Sequence, residues 1–340
     1  MSTRPASQTS LPRRRLGRTG LQVAPLALGA WGFLNSAAPA PARIDREDLL
    51  LQVLSTAFDA GMNLIDSAEV YANEDVLGRL LRQLDNVPED LVVSTKFGHG
   101  KGFTGEQIRD SVERSLRAFG VSTIPLFMLH DPRTVEDMNT IAGDALPVLR
   151  RLQDEGVVGS VGIATGTLTP LRLAVESGEY DVIQFPRLYT LLNQAAKTTG
   201  LLQAARDKDV GTILTSPFTG NILGTGVRGV EQPYYSFFPA EPEVVAAVAR
   251  MEETAMRLGI SLTEAAIAYP AREPLIDLIV FGVTGVEELR QDIAAWSSPL
   301  TGGQLQALAD AGTIDPHLIG GPEFVLPFPE ERREAILGGR

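Results

Sequence analysis

The sequence predicts an α/β chain folded as one (β/α)8 TIM barrel, and two observations carry that expectation. Short apolar runs recur along the 340 residues, each followed by Gly, Pro or charged residues and then by a longer stretch of helical periodicity. There are eight such runs, the number that closes a barrel. The runs are continuously apolar rather than alternating, which suits parallel strands covered outside by helices and filled inside by side chains. An open doubly wound sheet is the competing arrangement.

Taken in order, the strand runs are Val23–Ala30, Met62–Ile65, Leu91–Thr95, Leu126–Leu129, Val158–Ile163, Asp181–Phe185, Gly211–Leu214 and Leu275–Phe281. The helical stretches that follow them are Asp45–Ala60, Glu74–Leu84, Thr104–Phe119, Asp144–Glu155, Leu168–Ser177, Gln194–Asp207, Glu241–Leu258 and Val286–Ala295. Gly61, Gly120, Gly156, Gly178 and Gly259 stand where helices should end, as residues that accept a left-handed conformation do. The Gly- and aromatic-rich piece from Gly220 to Pro239 is too long for an ordinary connection and follows the seventh strand, where barrels build ligand loops. Residues 1–12 read as a disordered tail, and 13–340 as a single barrel domain whose C-terminal extension carries one helix, Gly303–Ala311.

Composition narrows the function classes. A formal net charge of -12 gives no surface for nucleic-acid phosphates, because Lys and Arg cluster only in the first residues. The absence of cysteine excludes disulfides and thiolate chemistry and fits a reducing, cytoplasmic setting. With three histidines, His99, His130 and His317, a His-rich metal site is hard to build, and none is expected. Arg13-Arg14-Arg15 before an apolar stretch imitates an export signal, but Gly17, Gly20, Pro25 and Gly29 break that stretch into a tight turn feeding a strand. No run of about 18 apolar residues spans a membrane. The expected partner is a small-molecule substrate, and nothing in the sequence marks an oligomer interface.

Three polar residues stand at or just past the ends of consecutive predicted strands: Asp66, Lys96 and His130. In a barrel those ends share one face, and Tyr71, five residues beyond Asp66, lies on a loop able to turn back over it. Singly, each has a packing explanation: a helix cap, a peripheral ion pair, a loop aromatic, a core histidine. Together they compose a proton-transfer group for a carbonyl oxygen, with Tyr71 as donor. Lys96 is expected to bring the phenol down from its usual value near 10, Asp66 to hold Lys96, and His130 to orient the substrate oxygen.

These residues lie in Leu64-Ile65-Asp66-Ser67-Ala68-Glu69-Val70-Tyr71, Ser94-Thr95-Lys96 and Leu129-His130-Asp131-Pro132, which resemble the signatures of the aldo-keto reductase family and its catalytic tetrad. The resemblance spans nearly the whole chain. Leu16-Gly17-Arg18-Thr19-Gly20-Leu21 looks like the family's opening β-hairpin, and Glu155-Gly156-Val157-Val158 leads into its fifth strand. Within the family, Arg187-Leu188-Tyr189-Thr190-Leu191-Leu192-Asn193-Gln194 and Pro233-Tyr234-Tyr235-Ser236-Phe237-Phe238-Pro239 look most like sugar 1-dehydrogenases that oxidise fucose, galactose or arabinose type aldoses. The resemblance implies an NAD(P)-dependent oxidoreductase and puts the cofactor contacts at Gln184, at Ser216 and Phe218 after strand seven, and at Gly282, Thr284, Glu288 and Asp292 after strand eight.

The pattern departs from the family on the cofactor half. Ala164 stands where Ser or Asn usually binds the carboxamide, and Thr215 where many members stack a tyrosine on the nicotinamide; Phe218 is the candidate substitute. After strand eight, Glu288 holds a position often taken by Arg and Asp292 replaces Asn, so a 2'-phosphate meets repulsion and NAD is favoured over NADP. Free amides at the helix start near Val286 offer a generic anion contact. This imbalance keeps three readings open: a dehydrogenase with altered cofactor contacts, a cofactor-independent acid/base enzyme that reuses the tetrad, and a non-catalytic binding protein. Trp31 matches a family position that walls the substrate pocket, with Phe33, Phe97 and Phe218 as further apolar candidates and His99 within reach. Tyr189, Asn193 and the aromatic run 234–238 are candidate lid residues.

Overall fold

The computed structural model describes residues 10–35, 38, 43–236 and 238–314. The chain opens with an antiparallel ribbon, β1 (Arg14–Arg15) and β2 (Gln22–Val23), followed by β3 (Leu26–Gly29), α1 (Glu47–Asp59), β4 (Leu64–Asp66), α2 (Glu74–Leu81), β5 (Val92–Phe97) and α3 (Gly105–Phe119). Next come β6 (Ile124–His130), α4 (Val135–Thr140), α5 (Leu146–Asp154), β7 (Val158–Ala164), α6 (Leu168–Ser177), β8 (Val182–Pro186), α7 (Ala195–Thr198), α8 (Leu201–Asp207) and β9 (Gly211–Thr215). The rest is α9 (Ile222–Thr225), the ribbon β10 (Tyr234–Tyr235) and β11 (Phe238–Pro239), α10 (Pro242–Leu258), α11 (Leu262–Ala271), β12 (Leu278–Phe281), α12 (Val286–Trp296) and α13 (Gly302–Ala311). Strands β3 to β9 and β12 close into a parallel barrel, with β12 paired to both β3 and β9.

All eight strand expectations hold, and the doubly wound alternative falls because β12 returns to β3. Gly120, Gly178 and Gly259 are left-handed helix caps as read from the sequence. The helix expected over Asp144–Glu155 starts nine residues earlier, at Val135. Thr134 and Asp137 form a capping box there, and a π turn over Ile141–Ala145 joins α4 to α5, which breaks the apolar period. The stretch Gln194–Asp207 is two helices separated at Gly200, whose φ is 77°. Helix α11 escaped sequence reading because it is apolar around most of its circumference, packed between helices, and carries Pro270. Leu11 is buried and its N–H donates to Ala60 O at 3.0 Å, so packed chain begins before residue 13. Residues 1–9 and 315–340, with His317, lie outside the described residues.

Alternation along each strand assigns the two faces. Ala27, Leu64, Val92, Leu126, Met128, Val182, Ile213, Leu278 and Val280 fill the barrel, joined from below by Leu16 and Val23 of the ribbon. Ile65, Val93, Phe127, Ile163, Ile183, Phe185, Leu214, Ile279 and Phe281 face outward into the helical layer. The ribbon lies flush against the barrel floor: Gly17, at φ 48°, comes so near that a Cβ there would stand 2.1 Å from Gly211 N. The arginine triplet fastens it, Arg13 to Asp90 at 2.9 Å, Arg15 to Asp209 at 2.6 Å and Arg14 to Ile276 O at 3.3 Å. Among the described residues no helix is long and apolar enough to cross a membrane.

Candidate active site

Two-residue alternation carries the interior face upward from the apolar layer to the C-terminal mouth. Leu64 is followed by Asp66, Val92 by Ser94 and Lys96, Met128 by His130, and Val182 by Gln184, so these polar side chains meet above the packed floor. Lys96 Nζ donates to Asp66 Oδ2 at 2.8 Å and to Ser67 O at 2.6 Å, and Ser94 Oγ donates to the other carboxylate oxygen at 2.9 Å. Both ions are buried. Past β4, a 3-10 turn over Glu69–Tyr71 ends at Ala72 in a left-handed conformation and folds Tyr71 back over the mouth. The Lys96 ammonium lies 5.5 Å from the centre of the Tyr71 ring, and that ring meets His130 edge-on with centroids 6.2 Å apart. The four residues expected to converge do so.

Their electrostatics differ from expectation at one point. Burial and the negative charge of Asp66 push the Tyr71 phenol well above its ordinary value, where a lowering by Lys96 was expected. The ammonium bonds Asp66 at 2.8 Å rather than the phenol. Burial pulls Lys96 itself down, against the pull of Asp66. Burial, with Lys96 and His99, holds His130 well below the usual histidine range. The result is a protonated phenol beside a neutral imidazole, and His130 Nδ1 is buried without a hydrogen-bond partner.

His99, for which a surface place was the favoured reading, lies at the mouth beside His130. Its Nδ1 is 3.0 Å from Asp131 Oδ2, its ring is 5.3 Å from that of His130, and it lines a narrow cleft with Glu69, Val70, Lys96, Phe97 and His130. Asp131 also accepts from Arg133 at 3.0 and 2.5 Å; these partners hold its carboxyl down at about 2. Thr165, next to Ala164, donates to Pro132 O at 2.9 Å and ties the loops after β6 and β7 together.

On the cofactor side, Gln184 is buried and its Nε2 has no hydrogen-bond partner among the described residues. Thr215 ends β9, Ser216 follows with φ 55°, and half-buried Phe218 packs against both helical clusters. Gly282 is exposed, and a Cβ there would meet only Gly29 O at 3.8 Å. The first turn of α12 has no side-chain cap, and Glu288 accepts from both Thr284 N and Thr284 Oγ1 at 2.7 Å. Asp292 is buried with Oδ2 unpartnered; burial and Glu288 raise its carboxyl to about 8. The free amide of Gln184 fits a nicotinamide carboxamide, and Glu288 and Asp292 set two carboxylates in the first two turns of α12.

The substrate wall is corrected in two places. Trp31 follows β3 in a 3-10 turn and is partly exposed, and Phe97 lines the cleft, but Phe33 is fully buried in the helical layer beside Ile44. Tyr189 is no lid: it stacks on Tyr269 at 5.2 Å and donates to Glu273 among the helices. Asn193 is buried and accepts from Ala195 N at 2.9 Å. Tyr235 is buried while Tyr234 is exposed, and Phe237 lies outside the described residues. The residue sequence reasoning gave no role is Arg187, the first after β8, buried and with φ 61°. Its only signal was an arginine directly after an apolar strand.

Comparison with known proteins agrees with this geometry. The chain is similar to L-galactose dehydrogenase of Arabidopsis thaliana, 26% identical over 84% of this chain and 88% of that one. It is likewise similar to D-threo-aldose 1-dehydrogenase of a Pseudomonas species, 26% identical over 86% and 96%, and to the NADH-specific methylglyoxal reductase of Escherichia coli, 27% identical over 82% and 92%. A solved Pseudomonas aeruginosa structure assigned to the aldo-keto reductases superposes with a TM-score of 0.62 at 23% identity, covering 88% of this chain and 98% of that one, a likeness of fold. The sequence profile of the Aldo/keto reductase family matches residues 25–312, which takes in the whole barrel and all four mouth residues, and the chain belongs to that family.

Proposed function

We propose that the protein is an oxidoreductase that interconverts a carbonyl and an alcohol on a small molecule, an aldose hemiacetal or related aldehyde, with NAD as cofactor and Tyr71 as general acid/base. The observation that carries the reading is the buried Lys96–Asp66 pair at 2.8 Å beneath the Tyr71 ring, with neutral His130 at its edge. Tyr71 starts as a protonated phenol, the form that gives a proton to a carbonyl oxygen. As charge builds on the phenol oxygen, the ammonium of Lys96 lies close enough to stabilise it in a site sheltered from water. His130, uncharged, donates one N–H to the substrate oxygen without competing for the proton. Ser94 and Asp66 keep Lys96 from wandering.

The bound nicotinamide supplies or accepts the hydride; Gln184 would hold its carboxamide, and the loop from Gly282 to Asp292 its adenosine end. Glu288, already bonded to Thr284, supports NAD over NADP. The relatives named for sugar and aldehyde oxidoreduction support the substrate class. Titration of the purified protein with NADH and NADPH by calorimetry, beside aldose turnover by wild type and Tyr71→Phe, tests the reading. Micromolar NADH binding with Tyr71-dependent turnover is expected. No binding at millimolar cofactor sinks it and leaves an acid/base enzyme without cofactor.

A further inference from the structure

Arg187 is a buried charge without a counterion among the described residues. Its backbone leaves β8 in the left-handed region, φ 61°, where a non-glycine residue is strained, and its N–H is spent on Thr215 O at 3.0 Å. Among the described residues no carboxylate lies within ion-pair distance of its guanidinium and no acceptor takes a hydrogen bond from it. The groups that act on it electrostatically are Asp131, after β6, and Tyr235, in the ribbon after β9. It therefore sits at the C-terminal end of β8, facing the loop after β6 that begins with Asp131 and the ribbon β10–β11.

Asp131 does not balance it. That carboxylate is engaged by Arg133 and His99, and Asp66 is engaged by Lys96. Each of those carboxylates already has a cationic partner, and Arg187 adds a further positive charge beside Asp131. A buried guanidinium left without a partner is costly. The fold holds it there, strained, facing Asp131, the residue after His130.

We infer that Arg187 is the anion-binding residue of the substrate pocket and that the substrate carries a carboxylate or phosphate besides its reacting carbonyl. The planar guanidinium suits either group, by paired charge-assisted hydrogen bonds. An anion of the cofactor has the same chemistry and Gln184 stands on the same strand, but Arg187 faces Asp131, the residue after His130, whereas the adenosine-side loop follows β12. The inference rests on the oxidoreductase reading of the same mouth.

The test uses D-galactose and D-galacturonate, which share the reacting hemiacetal and differ by a carboxylate, with malonate as a non-reacting anion. Wild type should prefer galacturonate in kcat/KM. Arg187→Met should cut that rate by about 100-fold while changing galactose by less than about threefold, and Arg187→Lys should recover part of the loss. Equal losses on both sugars, or no preference in wild type, overturn the proposal. Malonate should raise the melting temperature of free wild type and compete with the sugar. Competition with NADH instead assigns the anion to the cofactor and also overturns it. These malonate measurements need only wild type and no turnover, so they decide the proposal even if Arg187→Met fails to fold or the redox reading fails. Absence of any malonate effect sinks it, whereas NADH binding with Tyr71-dependent galactose turnover keeps the redox reading standing.

Discussion

Lys96 donates a 2.8 Å hydrogen bond to Asp66 in the buried mouth of the barrel, and the same ammonium stands 5.5 Å from the centre of the Tyr71 ring. One carboxylate thus does two opposing things. It keeps Lys96 charged and in place, and by its own charge it keeps Tyr71 protonated until the reaction draws the proton away.

Removing either end of that arrangement should separate chemistry from folding. Tyr71→Phe should leave the melting temperature within about 2 °C and lower kcat by about 10³-fold, the usual span for loss of a general acid. Lys96→Met should lower kcat and also destabilise the fold by about 3 kcal/mol, because Asp66 is left buried and unpaired. Steady-state rates beside urea unfolding check both, and a stable Lys96→Met protein would contradict the pairing.

Gln184 offers the reverse case, a buried donor with nothing to bond. Gln184→Leu should stabilise the cofactor-free protein or leave it unchanged, since an unsatisfied amide is replaced by an apolar group. NADH affinity should fall by about tenfold in the same variant. A drop in melting temperature without any loss of affinity would show that Gln184 serves packing alone.

Cofactor choice should turn on Glu288, whose carboxylate bonds Thr284 through backbone and side chain. Glu288→Arg removes a repelling anion and adds a guanidinium able to meet a 2'-phosphate. The ratio of NADPH to NADH affinity should rise by about tenfold or more. Calorimetric titration of both cofactors against wild type and variant measures it, and an unmoved ratio refutes the assignment.

Asp292 should make the protein less stable in alkali. Its carboxyl is raised from 3.8 unfolded to about 8 folded, by burial and by Glu288. The folded state therefore binds the extra proton, so the benefit is complete below 3.8 and is lost as the pH rises toward 8. Asp292→Asn, which cannot ionise, should melt higher than wild type at pH 8 by several degrees and lose that margin toward pH 5. A difference independent of pH would exclude the buried proton.

Much of this was legible in the sequence because it follows from local period. Eight continuously apolar runs predict the strands, and their C-terminal ends predict the face that Asp66, Lys96 and His130 share. The glycine caps at Gly120, Gly178 and Gly259 are equally local. Helix α11 and the π turn at 141–145 were not legible, since an all-round apolar helix has no stripe and an extra residue per turn erases one. Phe33 and Tyr189 went to the helical layer rather than to the mouth, because an aromatic after a strand has the same signature whichever side it packs.

The chain's own order of residues determined the barrel, the convergence of Asp66, Tyr71, Lys96 and His130, and the two carboxylates, Glu288 and Asp292, that follow the eighth strand. Only the tertiary structure decided the charge state of those groups. Whether Tyr71 keeps its proton depends on its burial and on the charge of Asp66, held beside Lys96; whether Arg187 has a counterion depends on His99 and Arg133 having taken Asp131. Burial and pairing among residues distant in sequence set these energies, and the order of residues along one strand does not record them.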